Sequence, residues 1–189
     1  MMNEKLLEYI RQMIPHSEES TALLAGHFEH KMLEKGEAIL KEGQVCHDIY
    51  FVEEGYLRTY YNKDGIEINI YFNFEGTVAT YLRSNKSGEP SEFTIEAGEK
   101  SKIWMLNLGK LTDLCRLTPE NMLFSRRLLS RLLVDTSVHN NLLRIYSPAE
   151  RYQYIEKNNP QLLQRVSLSH MASYLGMTRR TLTRIRGKK

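Results

Sequence analysis

Long apolar runs are missing from this chain of 189 residues. No stretch approaches the roughly 18 consecutive apolar residues that suggest a membrane span. The N-terminus, MMNEKLLEYI, carries acids early and holds no apolar signal core, so a secretory route is not expected. Cysteine is nearly absent. Cys46 and Cys115 are too few for a disulfide framework or a four-cysteine metal cluster, and they point to a reducing cytoplasm. Clustered metal ligands are lacking too. His27 and His30 stand three apart, which would put them on one face of a helix, but no third ligand lies nearby. The strand-like stretches offer only His47 where a barrel-type metalloenzyme would gather several histidines and a glutamate. No catalytic residue, metal or cofactor is therefore expected, and a cupin-like enzyme is the weakest alternative.

Acid is what the C-terminal end lacks. Residues 147–189 carry nine Lys or Arg against Glu150 and Glu156, a local charge of +7, whereas the whole chain sums to only +3. The preceding 146 residues are therefore acidic, at −4. Such segregation points to a polyanionic partner. The sequence SLSHMASYLGMTRRTLTRIRGKK explains how it would be met. Leu168, Met171, Ala172 and Leu175 recur at helical spacing, and Ser167 or Ser169 can cap the start. Gly176 breaks the pattern, Thr178 is a second cap, and Leu182 and Ile185 continue the apolar stripe. This predicts a helix-turn-helix whose second helix turns Arg179, Arg180, Thr181, Thr183, Arg184 and Arg186 outward. With Ser169, Thr178, Lys188 and Lys189, these are the expected contacts to double-stranded DNA. Arginine would read guanine edges, and the lysines would hold phosphate. A basic end that binds a protein or an anionic membrane is the alternative. An interfacial helix needs more Trp, Phe or Leu than this one has, so no membrane partner is expected.

Upstream, SPAERYQYIEKNNP opens with a capping box, Ser147 with Glu150, and has Pro148 in the first turn. The Ser147–Pro148 junction is the expected domain boundary. Before it, residues 119–146 read as one long helix with Thr118 as its cap. It has apolar residues on two faces. One seam runs Met122, Leu129, Leu132, His139, Leu143 and Tyr146; the other runs Phe124, Leu128, Val138, Leu142 and Ile145. One face can pack on the protein's own body. The first seam is expected to meet a symmetric copy, making a homodimer. From about Met32 to Leu108 the chain reads as short strands (AILKEG, DIYFVEEGYLRTYYN, EINIYFNF, SKIWML) with turns at a spacing that suits a small barrel or jelly roll. NKDGIE is a hairpin signal. Residues 3–31 are expected to be one or two short helices around Pro15–His16–Ser17.

LEKGEAILKEGQVCHDIYFVEEGYLRTYY resembles the start of the cyclic-nucleotide-type β-roll of the Crp/Fnr transcription regulators, through Lys35–Gly36, Glu42–Gly43 and Phe51-Val52-Glu53-Glu54-Gly55. The long helix is similar to that family's dimerisation helix, and LGMTRRTLTRI is similar to its recognition helix. The resemblance covers nearly the whole chain. It implies an α+β fold in three parts. Residues 1–118 would form N-terminal helices and a jelly-roll-like β-roll sensor, 119–146 a dimerisation helix, and 147–189 an all-α helix-turn-helix domain, here expected to lack the wing hairpin that often follows in the family. It further implies an inverted-repeat DNA site, a small-molecule effector in the roll, and RNA polymerase as a further partner. Glu75, Gly76, Thr77, Tyr81, Arg83 and Ser91 are the candidate effector pocket. The family's cyclic-nucleotide sites carry Phe-Gly-Glu and a later Arg-Ser/Thr-Ala. Here Glu75 precedes Gly76, and PSEFTIEA lies where the second motif would be. A buried phosphate without its cation is costly, so cyclic AMP is not the expected effector.

Overall fold

The computed structural model describes residues 4–187, apart from the side chains of residues 85–87. Two short helices, α1 (Glu4–Met13) and α2 (Glu18–Ala25), come first. Eight strands follow: β1 (Glu29–Leu33), β2 (Ala38–Leu40), β3 (Asp48–Glu54), β4 (Tyr56–Lys63), β5 (Ile66–Phe74), β6 (Val78–Ala79), β7 (Thr94–Ala97) and β8 (Ser101–Asn107). A short helix, α3 (Leu82–Ser87), lies between β6 and β7. The chain then runs through α4 (Leu108–Leu114), α5 (Pro119–Ile145), α6 (Pro148–Asn158), α7 (Pro160–Arg165), α8 (Leu168–Tyr174) and α9 (Arg179–Arg186). This is the mixed α+β architecture expected, with strands in the N-terminal part and helices in the C-terminal part.

The strands form two four-stranded sheets, ordered β1-β8-β3-β6 and β2-β7-β4-β5. In the first, β1 pairs antiparallel with β8 from Glu29↔Met105 to Leu33↔Ser101, and β3 pairs with β8 from Asp48↔Asn107 onward. The register slips between Val52 and Glu54, just before the chain turns at Gly55. That glycine has φ +83, and a Cβ there would collide with the Ser101 side chain and the Lys100 backbone, so no other residue fits. The β4–β5 turn, Asp64–Gly65, has φ +53 and +83, as a two-residue hairpin needs.

Leu33, Leu40, Val52, Leu57, Ile95 and Ile103 belong to one apolar cluster, which fills the roll. A second cluster joins Ile49, Phe51, Val78 and Leu106 to α1, α2, α4 and the first half of α5 through Ile10, Leu24, Leu111, Phe124 and Leu128. β3 contributes to both, which is why it is buried on both faces instead of alternating. Each fully buried Leu, Ile or Phe contributes about 1.5–3 kcal/mol, so these clusters dominate the fold's stability. Largely enclosed ion pairs add to them. Arg58 Nε meets Glu96 Oε1 at 2.7 Å, and Lys102 Nζ meets Glu53 Oε1 at 2.9 Å, with Trp104 Nε1 donating to the other Glu53 oxygen at 2.7 Å.

Some elements differ from expectation. β1 begins at Glu29, inside the stretch expected to be helical, so His30 is on a strand and its ring lies 5.6 Å from that of Trp104. His27 lies outside helix α2, and its Nδ1 is 2.8 Å from the Leu23 carbonyl oxygen. The shared helical face that would pair the two histidines does not form. β1 and β6 are short and carry little apolar periodicity, and they exist because a neighbouring strand supplies their hydrogen bonds.

Two compact units emerge. One joins the N-terminal residues up to Arg58 with Asn73–Leu132; the other joins Thr59–Phe72 with the chain from Leu133 onward. The distal half of the β4–β5 hairpin thus belongs with the C-terminal helices.

Candidate nucleic-acid interface

Local chemistry sets up the C-terminal helices. Ser147 caps α6 by accepting from the Glu150 amide, and the Glu150 carboxylate accepts from the Ser147 amide at 2.8 Å. That reciprocal bond holds the Glu150 carboxyl below its ordinary range. Ser167, not Ser169, caps α8 by accepting from the His170 amide at 3.2 Å. Thr178 caps α9, accepting from the Thr181 amide at 3.1 Å. Gly176 turns the chain between the two helices at φ +61.

Met171, Ala172, Leu175 and Leu182 are buried and join α8 to α9, with Tyr152 and Ile155 of α6 beneath them. Arg151 is spent on structure. Its guanidinium donates to the carbonyls of Leu143 (2.6 Å), Tyr146 (2.8 Å) and Leu175 (2.9 Å), tying the ends of α5 and α8 to the start of α6. It therefore does not belong to the exposed basic surface, although it counts toward the charge.

Arg179, Arg180, Thr183, Arg184 and Arg186 are exposed on α9, and Thr181 is half-buried. A helix turns about 100° per residue, so Arg180 and Arg184 share the face opposite buried Leu182, while Arg179 and Arg186 lie together on one side, about 60° and 40° from Leu182. The long side chains edge a shallow cleft lined by Arg179, Arg180, Thr181, Thr183 and Arg184. The hydroxyls are partly committed: Thr183 Oγ1 donates to the Arg179 carbonyl at 3.0 Å, and Thr178 and Thr181 share a hydrogen bond of 2.9 Å. Arginine is therefore the donor left for a ligand. Ser169 is exposed near the start of α8. Lys188 and Lys189 lie outside the described residues.

The six candidate effector residues do not share one environment. The Glu75 carboxylate accepts from the Gly55 amide at 2.9 Å and so holds the turn between β3 and β4, whereas Thr77 Oγ1 donates to the Phe74 carbonyl at 2.7 Å within the turn around Gly76. Tyr81 packs edge-on against Phe93. Ser91 is buried, with its hydroxyl bonded within its own loop and its backbone bonded to Gly43 and Gln44. Arg83 is exposed and bridged to Glu89 at 3.0 Å.

The residues expected at a dimer seam also divide. Met122 and Leu129 are exposed, at 46% and 42%. Leu132 is partly buried against the helical core, and Leu143 is half-buried. His139 is 7% exposed and stacks on Tyr174 with ring centres 4.4 Å apart. Leu133, which the sequence seam omitted, is 70% exposed. Of the other seam, Phe124, Leu128 and Leu142 are buried, whereas Val138 and Ile145 face solvent.

Residues 30–117 match the family model of the cyclic nucleotide-binding domain. No curated protein matches the chain by sequence. Solved structures share its fold. FixK2 from Bradyrhizobium japonicum superposes with a TM-score of 0.73 at 20% identity, covering 85% of this chain and 83% of its own. A CooA mutant from Carboxydothermus hydrogenoformans gives 0.70 at 18% identity, covering 100% and 85%. A Eubacterium rectale protein assigned to the Crp/Fnr family of transcriptional regulators gives 0.69 at 18% identity, covering 96% and 87%.

Proposed function

We propose that this chain, whose fold is that of the Crp/Fnr regulators, is a homodimeric, sequence-specific DNA-binding transcriptional regulator and not an enzyme. The observation that carries this is α9: Leu182 is fully buried beneath it while Arg179, Arg180, Arg184 and Arg186 stand exposed on its outer surface. A helix-turn-helix lays such a helix in the major groove. Arg180 and Arg184, one turn apart on the outermost face, suit bidentate recognition of guanine; Arg179, Arg186 and Ser169 suit the flanking phosphates. We take residues 1–118 as a sensor, 119–146 as the dimerisation helix and 147–189 as the DNA-binding part. The seam for the second copy is Met122, Leu129 and Leu133, spaced to fall on one stripe of α5. RNA polymerase is the further partner that such a regulator would meet at a promoter.

Selection of bound sequences from random duplexes by the purified chain tests the reading. The expected product is an inverted repeat with half-sites about one helical turn apart, roughly 34 Å. On that site Arg180→Ala or Arg184→Ala should cost about 1–3 kcal/mol and flatten the preference at one base pair per half-site. Arg186→Ala should weaken all sequences alike and lower the salt slope. An absence of any enriched sequence, with all three substitutions acting equally, would reduce α9 to an electrostatic anchor.

A further inference from the structure

β5 is the edge strand of its sheet, so one side of its backbone has no neighbouring strand. A side chain of α8 takes that place. The Asn69 amide donates to Ser173 Oγ at 2.9 Å, and Ser173 Oγ donates to the Glu67 carbonyl at 3.1 Å. Residues 67 and 69 point their backbone groups to the same side of a strand, so one hydroxyl serves both as a partner strand would. Aromatic contacts reinforce the junction. Phe72 meets Tyr174 edge-on at 5.3 Å, and the His139 ring lies between Tyr174 (4.4 Å) and Tyr71 (5.8 Å). Tyr71 also donates to Thr136 Oγ1 at 3.2 Å.

The location of this junction gives it a consequence. Ile66, Glu67 and Ile68 share a groove with Ser169, Thr178 and Arg179, the early residues of α8 and α9. Those are the residues that a helix-turn-helix brings to the DNA backbone. Glu67 Oε2 stands 3.8 Å from His170 Nε2. A carboxylate on an edge strand thus occupies the side of the helix pair where phosphates would have to sit, and two anions cannot share it cheaply.

We propose that the β4–β5 hairpin is an autoinhibitory arm: Ser173 latches its edge to α8, and Glu67 excludes phosphate until the latch opens. This rests on the DNA-binding reading and adds to it a closed state.

The experiment uses the full chain and a random-sequence duplex of about three helical turns, a length that spans two half-sites. Affinity is followed by fluorescence anisotropy, and exchange of the Asn69 amide by mass spectrometry. Ser173→Ala removes the latch. Glu67→Gln keeps the backbone bonds and removes the charge. Arg186→Ala, outside the latch and expected to weaken every sequence alike, serves as the DNA-contact control. Both latch variants should bind DNA about tenfold tighter than wild type, within the usual range of coupling between sites. The Asn69 amide should exchange faster in Ser173→Ala, and faster in wild type once DNA is added. The proposal is overturned if Ser173→Ala and Glu67→Gln, both melting like wild type, bind DNA no tighter than it does. It is equally overturned if Asn69 stays protected in the DNA complex. When Arg186→Ala weakens binding in either of those cases, the DNA reading stands and only the arm is wrong. When no variant binds DNA, the DNA reading fails and takes the arm with it.

Discussion

His139 is a residue whose role changed between sequence and structure. Its place in an apolar seam of α5 suggested a surface meeting a second copy. In the fold it is enclosed by Tyr71 and Tyr174, with Nε2 3.4 Å from the Tyr174 carbonyl oxygen, and Asp135 one turn back on α5 is exposed. Burial lowers its pKa below the ordinary 6.5, outweighing the carbonyl contact, which raises it. The sign follows. Below about pH 6.5 the unfolded chain takes up a proton at this site before the folded one does, so acid favours unfolding. The contribution is complete above that pH and is lost as pH falls toward the depressed folded value. His139→Phe, which keeps a ring against Tyr174, should flatten the decline in urea-unfolding stability between about pH 6.5 and 5. An unchanged slope would mean that His139 is not buried as the neutral form. Arg151 gives the matching lesson in charge: composition counts it as a DNA-facing cation, yet three backbone carbonyls consume it. Neither role was legible, because both depend on residues more than twenty positions away (Tyr71 and Tyr174 for His139, Leu175 for Arg151).

Among the elements, those fixed by short-range chemistry could be read directly. The capping box of α6, the Thr178 cap, the Gly176 turn and the Asp64–Gly65 hairpin each depend on a few consecutive residues, whereas the choice of Ser167 over Ser169 was left open. β1 and β6 depend on partners far along the chain, and their own residues carry little pattern. α5 lies between these cases. Its helical period was clear, but apolar residues on two sides left open which face is covered. Phe124, Leu128 and Leu142 are the buried ones, and Leu132 leans on the same core. That leaves Leu129 and Leu133 as the exposed pair for a second copy. Leu129→Glu with Leu133→Glu should therefore give monomers in sedimentation equilibrium with little loss of thermal stability, since both positions face solvent in the single chain. A buried carboxylate at an interface without a partner costs several kcal/mol, enough to dissociate a dimer of ordinary size. Leu132→Glu should instead lower stability itself, by about 2–5 kcal/mol, because it faces the core. A double variant that stays dimeric would place the interface on other exposed apolar positions of α5, such as Val134, Val138 and Ile145.

At the scale of the whole molecule, the question is what would open the arm over the helix-turn-helix. In a domain that matches the cyclic nucleotide-binding family, the ready answer is a nucleotide in the roll. The interior argues against that ligand. Leu33, Leu40, Val52, Leu57, Ile95 and Ile103 fill it, and all are at most 2% exposed. Seating a nucleotide there would require displacing side chains worth about 1.5–3 kcal/mol each. It would also leave a phosphate in an apolar space, where an anion must find a cation or pay heavily for desolvation. Arg58, the buried arginine of β4, is bound to Glu96 at 2.7 Å and has no charge to spare. Arg83, beside the region expected to hold phosphate, is exposed and bridged to Glu89. Freeing Arg58 would break its pair with the largely enclosed Glu96, and breaking such a pair costs several kcal/mol. Cyclic AMP should therefore give no binding heat in titration calorimetry up to about millimolar concentration, where binding is worth only about 4 kcal/mol. It should also leave exchange at the Asn69 amide unchanged. Micromolar binding that speeds that exchange would overturn this expectation and make the nucleotide the opener. With no such ligand, the remaining force on the arm is DNA itself, and opening it then subtracts directly from affinity. In that case the same tenfold gain should appear in Ser173→Ala whether or not cyclic AMP is present.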